Sequence, residues 1–443
     1  MLSGGVLPVV LIACGVYFFF AVRGFFVCHP AVFFKTLADS SGGNGVSPVK
    51  ALSVALAGTL GVGNIAGVAT AIISGGPGSV FWMWVSAVAA MSVKYAEVAL
   101  AVHYRRLDGG RYRGGAMYYI RDGSPHGRLS RFSPFVAAGF ALLCLSNALL
   151  TGNMVQVNAA ADAASPIPPV VIGIAFAVLA SVIAFGGARR ISSFTVALIP
   201  FLSAIYVILS LEIIVSNIGC VPRVLTTIIT DAFDFSSAVG GVSGFLVNRA
   251  IRFGVTRGIF SNEAGCGTAP TAHASADVRS PHHQGCFGIF EVFVDTILLC
   301  TMTAIVILIA VETGSVGGDL SSPSWDGGIG LSVAAYSSLA GRWAGIVISV
   351  SVVLFAFATV LSQCYYGTEA LAFFTPSRTL RNAYVVLSAA FIVLGSLLSA
   401  PFIWQLADLF VGVMTVVNCV CLIRRRRTVV MIYEKGVSNG NRL

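Results

Sequence analysis

The sequence predicts an all-α polytopic membrane protein of eleven transmembrane helices, two inverted five-helix repeats behind one extra N-terminal helix. Three observations carry this. Of 443 residues, 56% are hydrophobic and only 10% charged, against about 25% charged in soluble domains, so too little charge remains to cover a water-facing surface. Apolar runs of about 20 residues, the length a spanning helix needs, recur along the chain. One glycine-rich element occurs twice, in runs that would enter the bilayer from opposite sides.

The runs start near Gly5, Ala51, Gly78, Phe132, Pro169, Ser193, Gly240, Phe287, Trp343, Ala383 and Pro401. In the first, "LIAC" (Leu11 to Cys14) looks like a lipoprotein cleavage box. No Lys or Arg precedes it, however, and "GVYFFFAV" prolongs the apolar run, so it reads as a retained span. The segment Ile329 to Leu339 is too short to cross and is expected on the outer face.

Loop charge fixes an orientation. Basic residues follow spans one (Arg23, Lys35, Lys50), three (Arg105, Arg106, Arg111, Arg113) and five (Arg189, Arg190). They also follow spans seven (Arg279, His282, His283), nine (Arg378, Arg381) and eleven (Arg424 to Arg427). The alternate loops are short or acidic, including the stretches around Asp231 and Asp234 and from Glu312 to Asp326. The positive-inside rule then places the N-terminus outside and the "RRRR" tail in the cytoplasm. The net charge of +9 is therefore topological, and no nucleic-acid partner is expected. Ten scattered cysteines without a CxxC framework support neither a disulfide scaffold nor a zinc site.

Span two carries "GTLGVGNIAGVATAI" (Gly58 to Ile72), although each glycine costs a helix about 1 kcal/mol against alanine. Its core, "NIAGVATA" (Asn64 to Ala71), returns in span seven as "NEAGCGTA" (Asn262 to Ala269), 198 residues later. Five spans separate the copies, which makes them opposite in topology. The halves are then residues 51–217 and 218–423, preceded by an extra helix and loop (1–50) and followed by a basic tail (424–443). Glycine-interrupted spans at matching places in two inverted halves point to discontinuous helices near the bilayer midplane. There, unwound carbonyls meet cations and helix N-termini meet anions. Spans two and seven are expected to be broken near Gly61 to Asn64 and near Asn262 to Gly267.

These stretches, with "GGPGSVFWMWVSA", "KYAEVALAVHYR", "YRGGAMYYI", "GNMVQ", "IRFGVTRGIFSNEAGCGTAPTAHASA" and "DTILLCTMTA", resemble the alanine or glycine:cation symporter family. The resemblance runs from about Ala51 to Val420. It implies a LeuT-type fold and sodium- or proton-coupled uptake of small neutral amino acids such as alanine and glycine across the plasma membrane, by a monomer without a cofactor. The Gly61-Val62-Gly63-Asn64 segment matches that fold's GxGN turn, which implies that Val62 and Gly63 amides bind the substrate carboxylate. It further implies Ala57 and Leu60 carbonyls with the Thr359 hydroxyl as sodium ligands, and Gln156 in the pocket. The twin element adds Asn262, Gly265, Gly267 and Thr268. Two departures stand out. Ala358 replaces a second usual Thr, and Gln363 replaces a Trp that usually caps the pocket.

Ionisable residues inside spans are functional candidates by default. Glu291 and Asp295 lie four apart on one face of span eight, as a proton site or as partners of Arg249, Arg252 or Arg257. Glu263 falls in the span-seven break, where it either neutralises Arg257 or tunes the pocket. Asp408 is expected to pack between helices, and His282-His283 to lie in a solvated loop. In "HASAD", helical spacing separates Ser275 from His273 and Asp277, so no nucleophilic triad forms. No P-loop or HExxH motif is present, and neither a continuous polar pore nor charge rings suggest a channel. The chain reads as a carrier and not an enzyme.

Overall fold

The computed structural model describes residues 7–38, 46–123, 128–233, 242–317, 325 and 328–440. Asp234, Asp326 and the start of the first run at Gly5 fall outside them. Nearly all of the described chain is helical, as a bilayer requires when every backbone polar group must be satisfied within its own segment. A short hairpin pairs Arg106–Asp108 with Arg111–Arg113.

Among the described residues, seven helices are long and apolar enough to cross a membrane, and a bent pair makes an eighth. The pair is α1 (Pro48–Thr59) and α2 (Ala66–Gly75), set at 62° across the glycine-rich stretch. The seven are α3 (Ser79–His103), α4 (Ser130–Ala163), α5 (Arg189–Ser216), α6 (Pro281–Glu312), α7 (Arg342–Ala372), α8 (Arg378–Leu397) and α9 (Ala400–Arg424). The other three expected spans coincide with helices outside this set. Leu7–Ala21 and Pro169–Phe185 are apolar but shorter. Val242–Asn262 is 21 residues long and carries Arg249, Arg252 and Arg257. Ile329–Ala340, too short to span, is a separate helix of 12 residues.

At the centre is α3, with 89% of its most apolar window buried. Leu7–Ala21, Val242–Asn262, Pro270–Ala274 and the first turns of α6 pack on it. The helix α7 packs on α1, α4, α5 and Ile329–Ala340. The first break packs on α7, and the second meets Glu97 of α3 and Gln363 of α7. Two π-helical segments interrupt the bundle, Ala148–Val155 in α4 and Phe293–Cys300 in α6. Such segments shift side-chain register and recur at functional sites.

The C-terminal tail also folds. Arg426–Gly440 is a helix whose Val429, Ile432 and Tyr433 are buried. Arg425, inside the "RRRR" run, is itself buried and donates to the carbonyls of Tyr119, Ile120 and Cys421 at 2.5–2.8 Å. His282 and His283 correct the expectation of a solvated loop. They are 7% and 9% exposed, in the first turn of α6, where Tyr95 Oη lies 2.7 Å from His282 Nδ1.

Candidate functional site

The Leu60 N–H still closes a helical bond to Leu56 O at 2.6 Å, and α1 ends there because the next amide turns elsewhere. The Gly61 N–H, which a continuing helix would give to the Ala57 carbonyl, goes to Thr59 O at 2.8 Å. One 3-10 turn follows over Val62–Asn64 before α2 starts at Ala66. The Val62 N–H, freed by the break, donates to Gln156 Oε1 of α4 at 3.1 Å. A Cβ at Gly61 would stand 2.7 Å from both Gln156 Oε1 and Thr359 Oγ1, so Gly61, Gln156 and Thr359 converge on one point. A small cavity of about 10 Å³ adjoins Gly61, room for about one water. Leu60, Gly61, Asn64, Ile65, Tyr206, Leu299 and Phe355 line it.

The second break is sharper. Val242–Asn262 ends at Asn262, and Glu263, Gly265 and Gly267 take φ of 49°, 84° and 76° before Pro270–Ala274 resumes the helix. Glycine reaches this left-handed region freely, whereas Glu263 adopts it at a steric cost. The amides this exposes are met by a protein carboxylate. Gly265 N and Gly267 N donate to Glu97 of α3 at 3.1 and 2.9 Å, and Asn418 Nδ2 donates to the same group at 2.6 Å. Thr268 donates to one oxygen of Glu263, and Gln363 Nε2 to the other at 2.8 Å. Gln363 thus reaches the second break, leaving its Oε1 buried and unpartnered among the described residues.

The two breaks touch. A Cβ on Gly63 would lie 3.0 Å from the Cα of Ser261, so only a glycine lets the backbones come this close. Asp295, in the π-helical segment of α6, binds both. It accepts from Asn64 Nδ2 at 2.7 Å on one oxygen. On the other it accepts from Ser261 at 2.8 Å and Thr296 at 2.7 Å. Asn262 Nδ2 donates to Thr296 Oγ1 at 3.1 Å, while Asn64 Oδ1 has no partner among the described residues. From Asn64 a hydroxyl chain runs through the buried interior. Thr303 donates to the Asn64 carbonyl at 2.7 Å, Tyr206 Oη lies 2.5 Å from Thr303, and Tyr336 donates to Tyr206 at 3.0 Å.

Glu291 resolves differently from the arginine pairing considered from sequence. Its partners are Lys94 Nζ of α3 at 3.2 Å and His273 Nε2 at 2.9 Å, all three wholly buried. Gln284 Nε2 donates to His273 Nδ1 at 2.8 Å, which leaves the ring proton on Nε2, facing Glu291. Arg257 pairs with Asp408 at 3.4 Å and not with Glu263. Sequence reasoning passed over Lys94, Glu97, His273 and Asn418 as site elements. The available signal was Lys94 and Glu97, two charges three residues apart inside an apolar span.

Two facing helix breaks, bridged by the buried carboxylate of Asp295 within a multi-span helical bundle, point to a membrane protein of the secondary-transporter class. Comparison with known proteins narrows this: the chain belongs to the sodium:alanine symporter family, whose sequence profile it matches over residues 1–440. It is 36% identical over 430 residues to the amino-acid carrier protein AlsT of Bacillus subtilis, covering 96% of this chain and 88% of that one. It is 35% identical over 430 residues to the sodium/alanine symporter AgcS of Methanococcus maripaludis, covering 95% and 91%. A third relative, the probable sodium/glutamine symporter GlnT of Bacillus subtilis, is 34% identical over 428 residues, covering 95% and 86%.

Proposed function

We propose that this chain is a sodium-coupled symporter that carries alanine, and with it glycine and other small neutral amino acids, into the cell. The meeting of the two breaks is the observation that carries the reading. At the first break the Val62 amide has left the helix for the Gln156 side chain, and Gly61 and Asn64, whose Oδ1 is unpartnered among the described residues, line one small cavity. Family membership and the names of AlsT and AgcS support the cargo.

In this reading the substrate carboxylate takes the amides of Val62 and Gly63, displacing Gln156 from Val62. Asn64 offers its free oxygen to the ammonium group. Ala57 and Leu60 carbonyls with the Thr359 hydroxyl receive sodium, an ion suited to several neutral oxygens. The far wall comes from Asn262, Gly265, Gly267 and Thr268, with Glu97 and Glu263 interposed, and Gln363 gives it a polar side. The architecture is eleven spans in a LeuT-type layout, with halves at 51–217 and 218–423, the N-terminus outside and the tail cytoplasmic. The protein acts as a monomer.

A proton as coupling ion is the second reading, favoured by four buried carboxylates, Glu97, Glu263, Glu291 and Asp295, of which only Glu291 is paired with Lys94. One experiment separates the two: uptake of a panel of amino acids into proteoliposomes, with and without an inward sodium gradient. Alanine uptake that rises with the sodium gradient supports the first. Uptake that ignores sodium and follows an imposed pH gradient overturns it in favour of the second.

A further inference from the structure

Away from the breaks, a cavity of about 250 Å³ opens between the N-terminal helix Leu7–Ala21 and the tail helix Arg426–Gly440, lined by Tyr17, Arg426, Arg427, Val430, Met431 and Glu434. Its two halves differ in chemistry. Arg426 and Arg427 are exposed and form no ion pair among the described residues; Arg426 makes one long bond, 3.4 Å, to the Ile423 carbonyl. Tyr17, Val430 and Met431 form an apolar flank. That flank continues along Leu7–Ala21, where Val9, Val16 and Phe20 are 67%, 45% and 73% exposed. Their spacing of seven and four residues puts them on one helical face, with Tyr17, three residues before Phe20, at its edge.

The cavity is built rather than incidental. Arg425 pins the start of the tail helix to three carbonyls. Tyr433 packs on Phe25 and His282 at 5.4 and 6.1 Å between ring centroids. Arg424, exposed one residue before the pin, adds a third guanidinium at the start of the tail helix.

We propose that this cavity binds the phosphate headgroup of an anionic phospholipid, with Arg426 and Arg427 on the phosphate and an acyl chain along Tyr17 and the exposed face of Leu7–Ala21. A free anion would use only the arginines and leave the apolar flank unexplained. A neutral lipid would use only the flank. Glu434, the one acid in the lining, disfavours a second negative group and limits the site to a single headgroup.

Thermal unfolding of the full-length protein in detergent tests this, with short-chain phosphatidylglycerol, short-chain phosphatidylcholine or inorganic phosphate as the added probe. Phosphatidylglycerol is expected to raise Tm saturably, and the other two are not. In Arg426→Gln/Arg427→Gln its apparent affinity falls about thirtyfold, the weight of two arginines toward an anionic surface. Arg426→Lys/Arg427→Lys retains most of it, which keeps the test alive if the glutamine variant does not fold. Arg189→Gln/Arg190→Gln, at another exposed pair, leaves it unchanged. Equal Tm shifts in the wild type and in Arg426→Gln/Arg427→Gln overturn the proposal, as does loss of the shift in a folded Arg426→Lys/Arg427→Lys. So does a shift reproduced by inorganic phosphate, which makes the site one for a free anion, or by phosphatidylcholine, which makes it merely apolar.

Discussion

Asp295 holds Asn64 of the first break at 2.7 Å and, through its other oxygen, Ser261 at the edge of the second at 2.8 Å. One carboxylate on α6 therefore sets the spacing of two backbone segments that are remote in sequence. It sits in the π-helical segment Phe293–Cys300.

Asp295→Asn replaces one acceptor oxygen with a donor that faces the donors already present. The cost is about 1–3 kcal/mol for a buried polar group left unsatisfied, small enough for an inserted, folded protein. Alanine uptake should nevertheless fall at least about tenfold, since misplacing a site by an ångström costs that much or more. Proteoliposome uptake alongside a thermal-unfolding curve reads both effects.

Gly63→Val places a branched side chain where even a Cβ would press on the Ser261 backbone at 3.0 Å. Overpacking of this kind costs about 1–3 kcal/mol, and the side chain also covers the amide offered to the substrate. Uptake should be abolished while the protein still inserts and purifies. Normal uptake by this variant would remove the Val62–Gly63 amides from the site.

Thr359→Ala tests the ion. Thr359 Oγ1 donates to Phe355 O at 3.1 Å, which leaves its lone pairs turned outward, beside Gly61. Loss of one neutral oxygen ligand should raise the sodium concentration for half-maximal uptake about tenfold, equivalent to one charge-assisted contact of about 1.4 kcal/mol. The titration is run at saturating alanine. An unchanged sodium curve would move the ion elsewhere.

Lys94→Met strands Glu291 with only His273 for company. Removing one partner of a buried ion pair costs about 3–5 kcal/mol, whereas replacing both by apolar residues is often neutral. The single variant should lose much of its folded yield, and Lys94→Met/Glu291→Leu should recover part of it. Size-exclusion profiles and Tm measure the recovery.

Gln363→Leu removes the amide that donates to Glu263 at 2.8 Å. Competition of serine and threonine against labelled alanine should weaken several-fold, as when a site loses a polar group meant for a hydroxyl, while glycine competition holds. If only glycine and alanine compete in the wild type, Gln363 has no part in selecting cargo.

The breaks were legible because glycine carries its cost in plain sight: four in ten residues of an apolar run make sense only where the helix stops. Gln156 and Thr359 were reached by resemblance, and the structure brings both to Gly61. The partners of the second break were not legible in advance. Glu97 reaches Gly265 from 168 residues away, a distance that no local pattern encodes, although two charges within the apolar α3 were there to be read. The buried placement of His282 depends on the tail helix docking against it, which a loop-charge count cannot register.

The bond from Val62 N to Gln156 has a kinetic and economic consequence for the cell. In the proposed reading, a cargo carboxylate arriving at that amide exchanges one acceptor for another, so this contact contributes only the difference between the two bonds. A contact discounted in this way eases release and shifts the concentration range over which the proposed carrier responds to its surroundings. Because the rival acceptor belongs to the chain, that range can drift in evolution through residue 156 alone, with every contact to the cargo left intact.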